Sequence, residues 1–152
     1  VDHLDHVGED GIKALARCKV MGVLLPGVPF FLRQKNQAQA RRMIETGLPI
    51  AMGTDFNPGS CPTMSMQMII ALGCLEMGLT PAEAVSATTI NAAYALGLGR
   101  QVGSLETGKR ADVIVLDIPS YRHLPYLFGV NHVDMVIKAG KIVVEGKRMV
   151  GK

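Results

Sequence analysis

The sequence predicts an α/β fold, part of a (β/α)8 barrel followed by a small β-sheet unit. Three observations predict it. Short apolar runs alternate with helical stretches over the first hundred residues, the pattern of parallel strands linked by crossover helices. The residues best suited to chemistry fall just past the ends of those runs, on the side where a barrel carries its functional loops. Composition then changes near Gly97-Leu98-Gly99, and the remaining C-terminal stretch has the alternation and turns of a β hairpin.

Taken in order, residues 1–4 read as a first short strand, and residues 10–19 carry Ile12, Leu15 and Ala16 at helical spacing. Residues 20–25 are a continuous apolar run ended by Pro26-Gly27, as expected of a strand buried on both faces. Residues 36–46 are again helical, with Gly47 as the stop, and residues 48–53 form the third strand. Three further helices are expected over 65–77, 81–88 and 90–96, on the outside of the barrel. The second starts at Thr80-Pro81-Ala82-Glu83, where Thr80 can cap and Glu83 can complete a capping box. Met64, Met66 and Met68 include an i, i+4 pair and read as core packing. Beyond Gly99, residues 111–116 are strand-like, and residues 135–138 and 142–145 form a hairpin around Ala139-Gly140-Lys141. Residues 1–97 and 98–152 are therefore expected as two units.

With 48% hydrophobic and 19% charged residues, 152 residues suffice for a sizeable core. The net charge of +3 comes from Lys and Arg that never run longer than two together, so neither a nucleic-acid patch nor a membrane surface is expected. No apolar run approaches the roughly 20 residues of a membrane span. Cys18, Cys61 and Cys74 match neither a zinc ribbon nor a disulfide framework, which fits a reducing cytoplasm. The chain opens at Val1 inside an apolar-polar alternation, so it is expected to be part of something larger.

Asp55 lies just past the third strand in a loop of Gly, Pro and Asn. A carboxylate there can ligate a metal and take a proton from water that the metal activates; it can equally form a turn with its own backbone. His3 ends the first strand, flanked by Asp2 and Asp5, which could hold its imidazole in one tautomer or raise its pKa; a structural histidine is the alternative. His6 reads as a loop or capping residue, and His123 and His132 as structural. Asn57, Gly59 and Ser60 offer an amide, approachable backbone and a hydroxyl, suited to a carboxylate or amide of a small substrate or simply to a Pro-Gly turn.

Residues 103–117, Gly-Ser-Leu-Glu-Thr-Gly-Lys-Arg-Ala-Asp-Val-Ile-Val-Leu-Asp, resemble the return from barrel to β domain in the amidohydrolase superfamily. Residues 87–97 resemble the helix before it, and Ala139-Gly140-Lys141 the closing hairpin. Three segments are similar, in order and spacing, to the last barrel strands of imidazolonepropionases: Val1-Asp2-His3-Leu4, Leu24-Leu25-Pro26-Gly27 with Phe30-Phe31-Leu32, and Gly53-Thr54-Asp55-Phe56-Asn57-Pro58-Gly59-Ser60.

The resemblance implies the C-terminal part of a (β/α)8 metal-dependent hydrolase barrel plus a small β-sheet domain completed by N-terminal strands. It implies hydrolysis of the ring amide of 4-imidazolone-5-propanoate to N-formimino-L-glutamate. Asp55 would be catalytic and a ligand to zinc or iron, His3 would polarise the carbonyl under attack, and Asn57, Gly59 and Ser60 would bind substrate. The family's other metal ligands would lie upstream of Val1, so the missing N-terminal half is an expected partner, together with the small-molecule substrate. Another amidohydrolase, such as a heterocycle deaminase, is the nearest alternative, and a non-catalytic domain that associates through its open barrel edge is another. A homo-oligomer is expected.

Overall fold

The computed structural model describes residues 1–151. Two short strands, β1 (Gly22–Leu24) and β2 (Ile50–Met52), pair in parallel with Gly22 opposite Ile50 and Leu24 opposite Met52. Helices α1 (Glu9–Arg17), α2 (Gly27–Phe31) and α3 (Ala40–Glu45) precede or connect them. The third expected strand is reduced to one parallel bridge, Asp2 to Val23, made by Val23 N–H donating to Val1 O at 2.8 Å and His3 N–H donating to Val23 O at 2.9 Å. His3 and Leu4 have φ of 68° and 67°, and these left-handed residues turn the chain out of the extended region after a single bridge. The two expected parallel neighbours of β1 are thus both present, one of them at minimal length.

Other limits shift for local reasons. Residues 36–39 stay outside α3 because Gln39 has ψ of 63°, and Gln37 donates instead to Glu76 at 3.2 Å. The Pro26-Gly27 pair, expected only to end a strand, also opens the short helix α2.

Helices α4 (Met66–Leu75), α5 (Pro81–Thr88) and α6 (Ile90–Ala95) come next along the chain. Ser65 caps α4, accepting from Met68 N–H at 3.2 Å. Met64 therefore lies before the helix and is exposed, contrary to its expected core position, while Met66 packs against the core. The core joins Leu24, Ile50 and Met52 to Ile12, Met43, Ile69 and Ile70. Full burial of such side chains contributes about 1.5–3 kcal/mol each. A Cβ at Gly73 would meet the Met52 sulfur at 2.7 Å, so a larger residue there would have to displace the end of that side chain.

A four-stranded antiparallel sheet is built in sequence order from β3 (Val113–Leu116), β4 (Val133–Lys138), β5 (Lys141–Glu145) and β6 (Arg148–Met149). Lys138 pairs with Lys141 across Ala139-Gly140, whose φ values of 49° and 80° make the mirror-image turn that suits a hairpin's twist. Asp112 secures that turn by accepting from Lys138 Nζ at 2.7 Å and Ala139 N–H at 2.8 Å. These two donors, the ammonium first, hold its carboxyl well below the usual range. A short helix, α7 (His123–Tyr126), interrupts the sheet's chain path and packs on α4, and Leu124 joins the same core as Ile69. Helix α7 and strand β6 are additions to the elements expected from sequence.

The capping box at Thr80 forms as expected, and Glu83 also takes both guanidinium nitrogens of Arg41 at 2.9 and 2.6 Å. Arg41 first, then Thr80, brings the Glu83 carboxyl down to about 2. Because the folded value is depressed, this contribution to stability is whole above the ordinary value of 4.5 and is lost as pH falls toward about 2. We expect Thr80→Ala to cost about 1 kcal/mol in denaturant unfolding. Melting curves across that acid window should fall less steeply for Glu83→Gln than for the parent chain, and equal slopes would contradict this origin.

Candidate active site

The candidate side chains gather where the parallel segments end. The bridge at Val23 carries His3 to the end of one segment, and the ladder of β1 and β2 carries Asp55 past the end of another. Across 52 positions of sequence, His3 Nε2 and Asp55 Oδ2 come within 4.0 Å. Both side chains are open to solvent, at 49% and 37% exposure. Both residues also adopt left-handed backbone, Asp55 with φ of 50°. For non-glycine residues this costs on the order of 1 kcal/mol each, and such conformations cluster at functional sites.

The other nitrogen of the ring faces Asp5, with His3 Nδ1 at 4.0 Å from Asp5 Oδ2. Of the two flanking carboxylates, Asp5 is the one beside the imidazole. Its side chain is only 9% exposed, and Oδ1 is buried with no hydrogen-bond partner. His3, Asp5 and His6 line a cleft of about 450 Å3 against Val28 and Gln34. His6 Nδ1 is 3.2 Å from the Asn36 amide, and the N-cap of α1 is Gly8, so His6 is a loop residue and not a cap.

After Asp55 the chain folds on the Asn57 side chain. Asn57 Oδ1 accepts from Gly59 N–H at 2.9 Å and Ser60 N–H at 2.8 Å, while Nδ2 donates to Asp55 O at 2.7 Å and Ser60 Oγ at 2.8 Å. Asn57 and Cys61 form an antiparallel bridge that closes the turn. Cys61 is buried against Gly27, where a Cβ would come within 2.4 Å of its sulfur. The amide is spent on shaping the loop, and the same bonds fix the backbone of Asp55, Gly59 and Ser60.

His132 lies elsewhere, buried, with Nδ1 3.5 Å from Asp117 Oδ1 and its backbone N–H donating to Gln67 at 3.0 Å. Among the described residues no three His, Cys, Asp or Glu side chains gather closely enough to hold a metal ion.

The family model described as "Amidohydrolase family" matches residues 11–143. The chain belongs to the amidohydrolase family. It is 52% identical over 147 residues to the imidazolonepropionase of Geobacillus kaustophilus, covering 96% of this chain and 34% of that protein. To the imidazolonepropionase of Alkaliphilus oremlandii it is 51% identical over 144 residues, again 34% of that protein. This amidohydrolase chain thus spans about a third of the length of the curated relatives it matches. Its fold superposes on a zinc-bound adenosine deaminase from Xanthomonas campestris with a TM-score of 0.89 at 24% identity, over 99% of this chain and 38% of that one. The zinc complex of atrazine chlorohydrolase from Arthrobacter aurescens gives 0.83 at 20% identity, over 99% and 37%. At those identities the likeness is one of fold alone.

Truncating Asn57 to Ala leaves the Gly59 and Ser60 N–H groups without their acceptor. We expect a loss of about 1 kcal/mol, with faster amide exchange at Gly59 and Ser60; unchanged exchange there would show that another acceptor shapes the loop.

Proposed function

We propose that this chain is the C-terminal portion of an imidazolonepropionase, contributing the last strands of a (β/α)8 barrel and, from residue 98, part of a β domain. The reaction is hydrolysis of the ring amide of 4-imidazolone-5-propanoate to N-formimino-L-glutamate, a step of histidine degradation. The observation that carries the reading is identity of 51–52% to imidazolonepropionases over nearly the whole chain. The facing of His3 and Asp55 at the strand ends supports it.

The donor chemistry suits a metal ion in part. Asp55 offers one solvent-facing carboxylate at the strand end, the donor a borderline or hard cation takes. A catalytic zinc ordinarily takes three protein ligands, so Asp55 would hold zinc or iron together with residues outside this chain. When bound, the ion supplies Lewis-acid activation of a water molecule. Asp55 takes a proton from the attacking water at its free carboxylate oxygen, and that proton ends on the leaving ring nitrogen. His3, held beside Asp55, hydrogen-bonds through a protonated Nε2 the carbonyl oxygen on which negative charge develops. Gly59 and Ser60 contact the substrate, and Asn57 keeps their backbone in place.

The test uses the full-length protein that contains this chain, supplied with 4-imidazolone-5-propanoate and, separately, with adenosine and guanine. Hydrolysis of the imidazolone is expected; deamination of a purine without it would replace this reading with a deaminase. In that protein Asp55→Asn should lower turnover by at least about a thousandfold and reduce metal content. His3→Ala should lower turnover roughly a hundredfold with the metal retained. Steady-state rates and elemental analysis on the two variants separate the roles, and an Asp55→Asn protein of full activity would refute the assignment.

A further inference from the structure

Asp5 is the acidic residue of this site that the proposed reaction leaves unused. Its carboxylate is nine-tenths buried, yet Oδ1 has no hydrogen-bond partner, and an unpaired buried carboxylate oxygen is costly. His3 Nδ1 lies 4.0 Å from its other oxygen, on the side of the ring opposite Asp55. The left-handed residues His3 and Leu4 curl the chain so that the side chains of residues 3 and 5 face one another at the strand end. A chain that continued as a strand would carry these two side chains along one face without curling one toward the other. Both 4.0 Å separations exceed a hydrogen bond by about 1 Å. The half-exposed imidazole is free to close that gap, and hydrogen bonds of this kind tighten when substrate binds.

We propose that Asp5 is a positioning residue that accepts the Nδ1 proton of His3 and so fixes which ring nitrogen works on the substrate. A buried carboxylate only accepts, so the imidazole proton is drawn to Nδ1, and Nε2 is left facing Asp55 and the substrate. The consequence for the reaction rests on the reading of His3 and Asp55 above. The water O–H bond breaks and its proton passes to Asp55. From there it passes across the 4.0 Å gap to His3 Nε2, restoring the Asp55 carboxylate. As an N–H, Nε2 then hydrogen-bonds the carbonyl oxygen while Asp5 stabilises the transient imidazolium. The same proton finally goes to the ring nitrogen as the amide bond breaks, and the imidazole returns to its Nδ1–H form. An Asn at position 5 can donate as well as accept, and it would permit the other tautomer.

The experiment uses the metal-loaded full-length protein with 15N-labelled histidine rings, the His3 signals being identified by their loss in His3→Ala. Without substrate, the wild-type His3 ring should show an Nδ1–H tautomer and Asp5→Asn should shift it to Nε2–H. This reading of Asp5 is independent of which substrate the enzyme takes; wild-type hydrolysis of the imidazolone tests the underlying function separately. In kinetics, Asp5→Asn should lower kcat roughly a hundredfold with KM within about twofold and metal content unchanged. Made in the His3→Ala background, the same substitution should cost nothing further, because a residue acting through His3 has no effect once His3 is gone. An Nε2–H ring in the wild type overturns the proposal, and so does an equal loss of kcat with and without His3. Should Asp5→Asn fail to fold, the wild-type spectrum still decides.

Discussion

Parallel pairing at Val23 and along β1 and β2 is the constraint on which the candidate site depends. In a parallel ladder every strand points the same way, so the loops that leave the strands emerge at one edge. That is how His3 and Asp55, 52 positions apart, reach one another without any direct link between their loops. A single bridge suffices for the first segment because Val23 donates to Val1 O and accepts from His3 N–H at once. Had residues 3 and 4 remained extended, the His3 ring and the Asp5 carboxylate would stand apart along the strand.

Packing beneath that edge holds the ladder still. The Met52 side chain of β2 reaches into the space left at Gly73 of α4, and a larger residue there would have to displace its end. Cys61 fills the space beside Gly27 at the start of α2 and packs with Leu25 and Val28, seating the loop after β2. The loop's own polar groups are then satisfied within it, with Asn57 standing in for two backbone partners. The backbone of that loop is therefore tied by its own hydrogen bonds, while the side chains of His3 and Asp55 stay open to solvent.

The antiparallel sheet is tied to the same core and not merely appended. Leu116, Ile118 and Leu124 pack with the residues around Ile69, and Gln67 reaches Asn131 and the His132 backbone. The buried His132 ring itself faces Leu127 O at 3.2 Å and Asp117 at 3.5 Å, far from the strand ends. Asp112, in the run that resembles the family's return segment, serves the hairpin turn through Lys138 and Ala139. Residues that mark the family most plainly in sequence are here structural ones.

What the sequence by itself determined was local. The period of apolar residues, the Thr80 to Glu83 capping box and the Ala139-Gly140 turn each depend on neighbours within a few positions, and each formed close to where it was expected. The candidates Asp55 and His3 were legible because functional loops lie past strand ends, and Asn57, Gly59 and Ser60 because they sit in the same loop. Helix α2 was hidden behind a Pro-Gly pair that signals a stop, and α7 is a single turn whose stability comes from Leu124 packing on α4. Only the tertiary structure decided that residues 1–4 make one bridge, that Asn57 turns its amide inward, and that Asp5 rather than Asp2 stands beside the imidazole. Each of those depends on backbone dihedrals and on contacts between segments distant in the chain, and neither leaves a periodic mark in the order of residues.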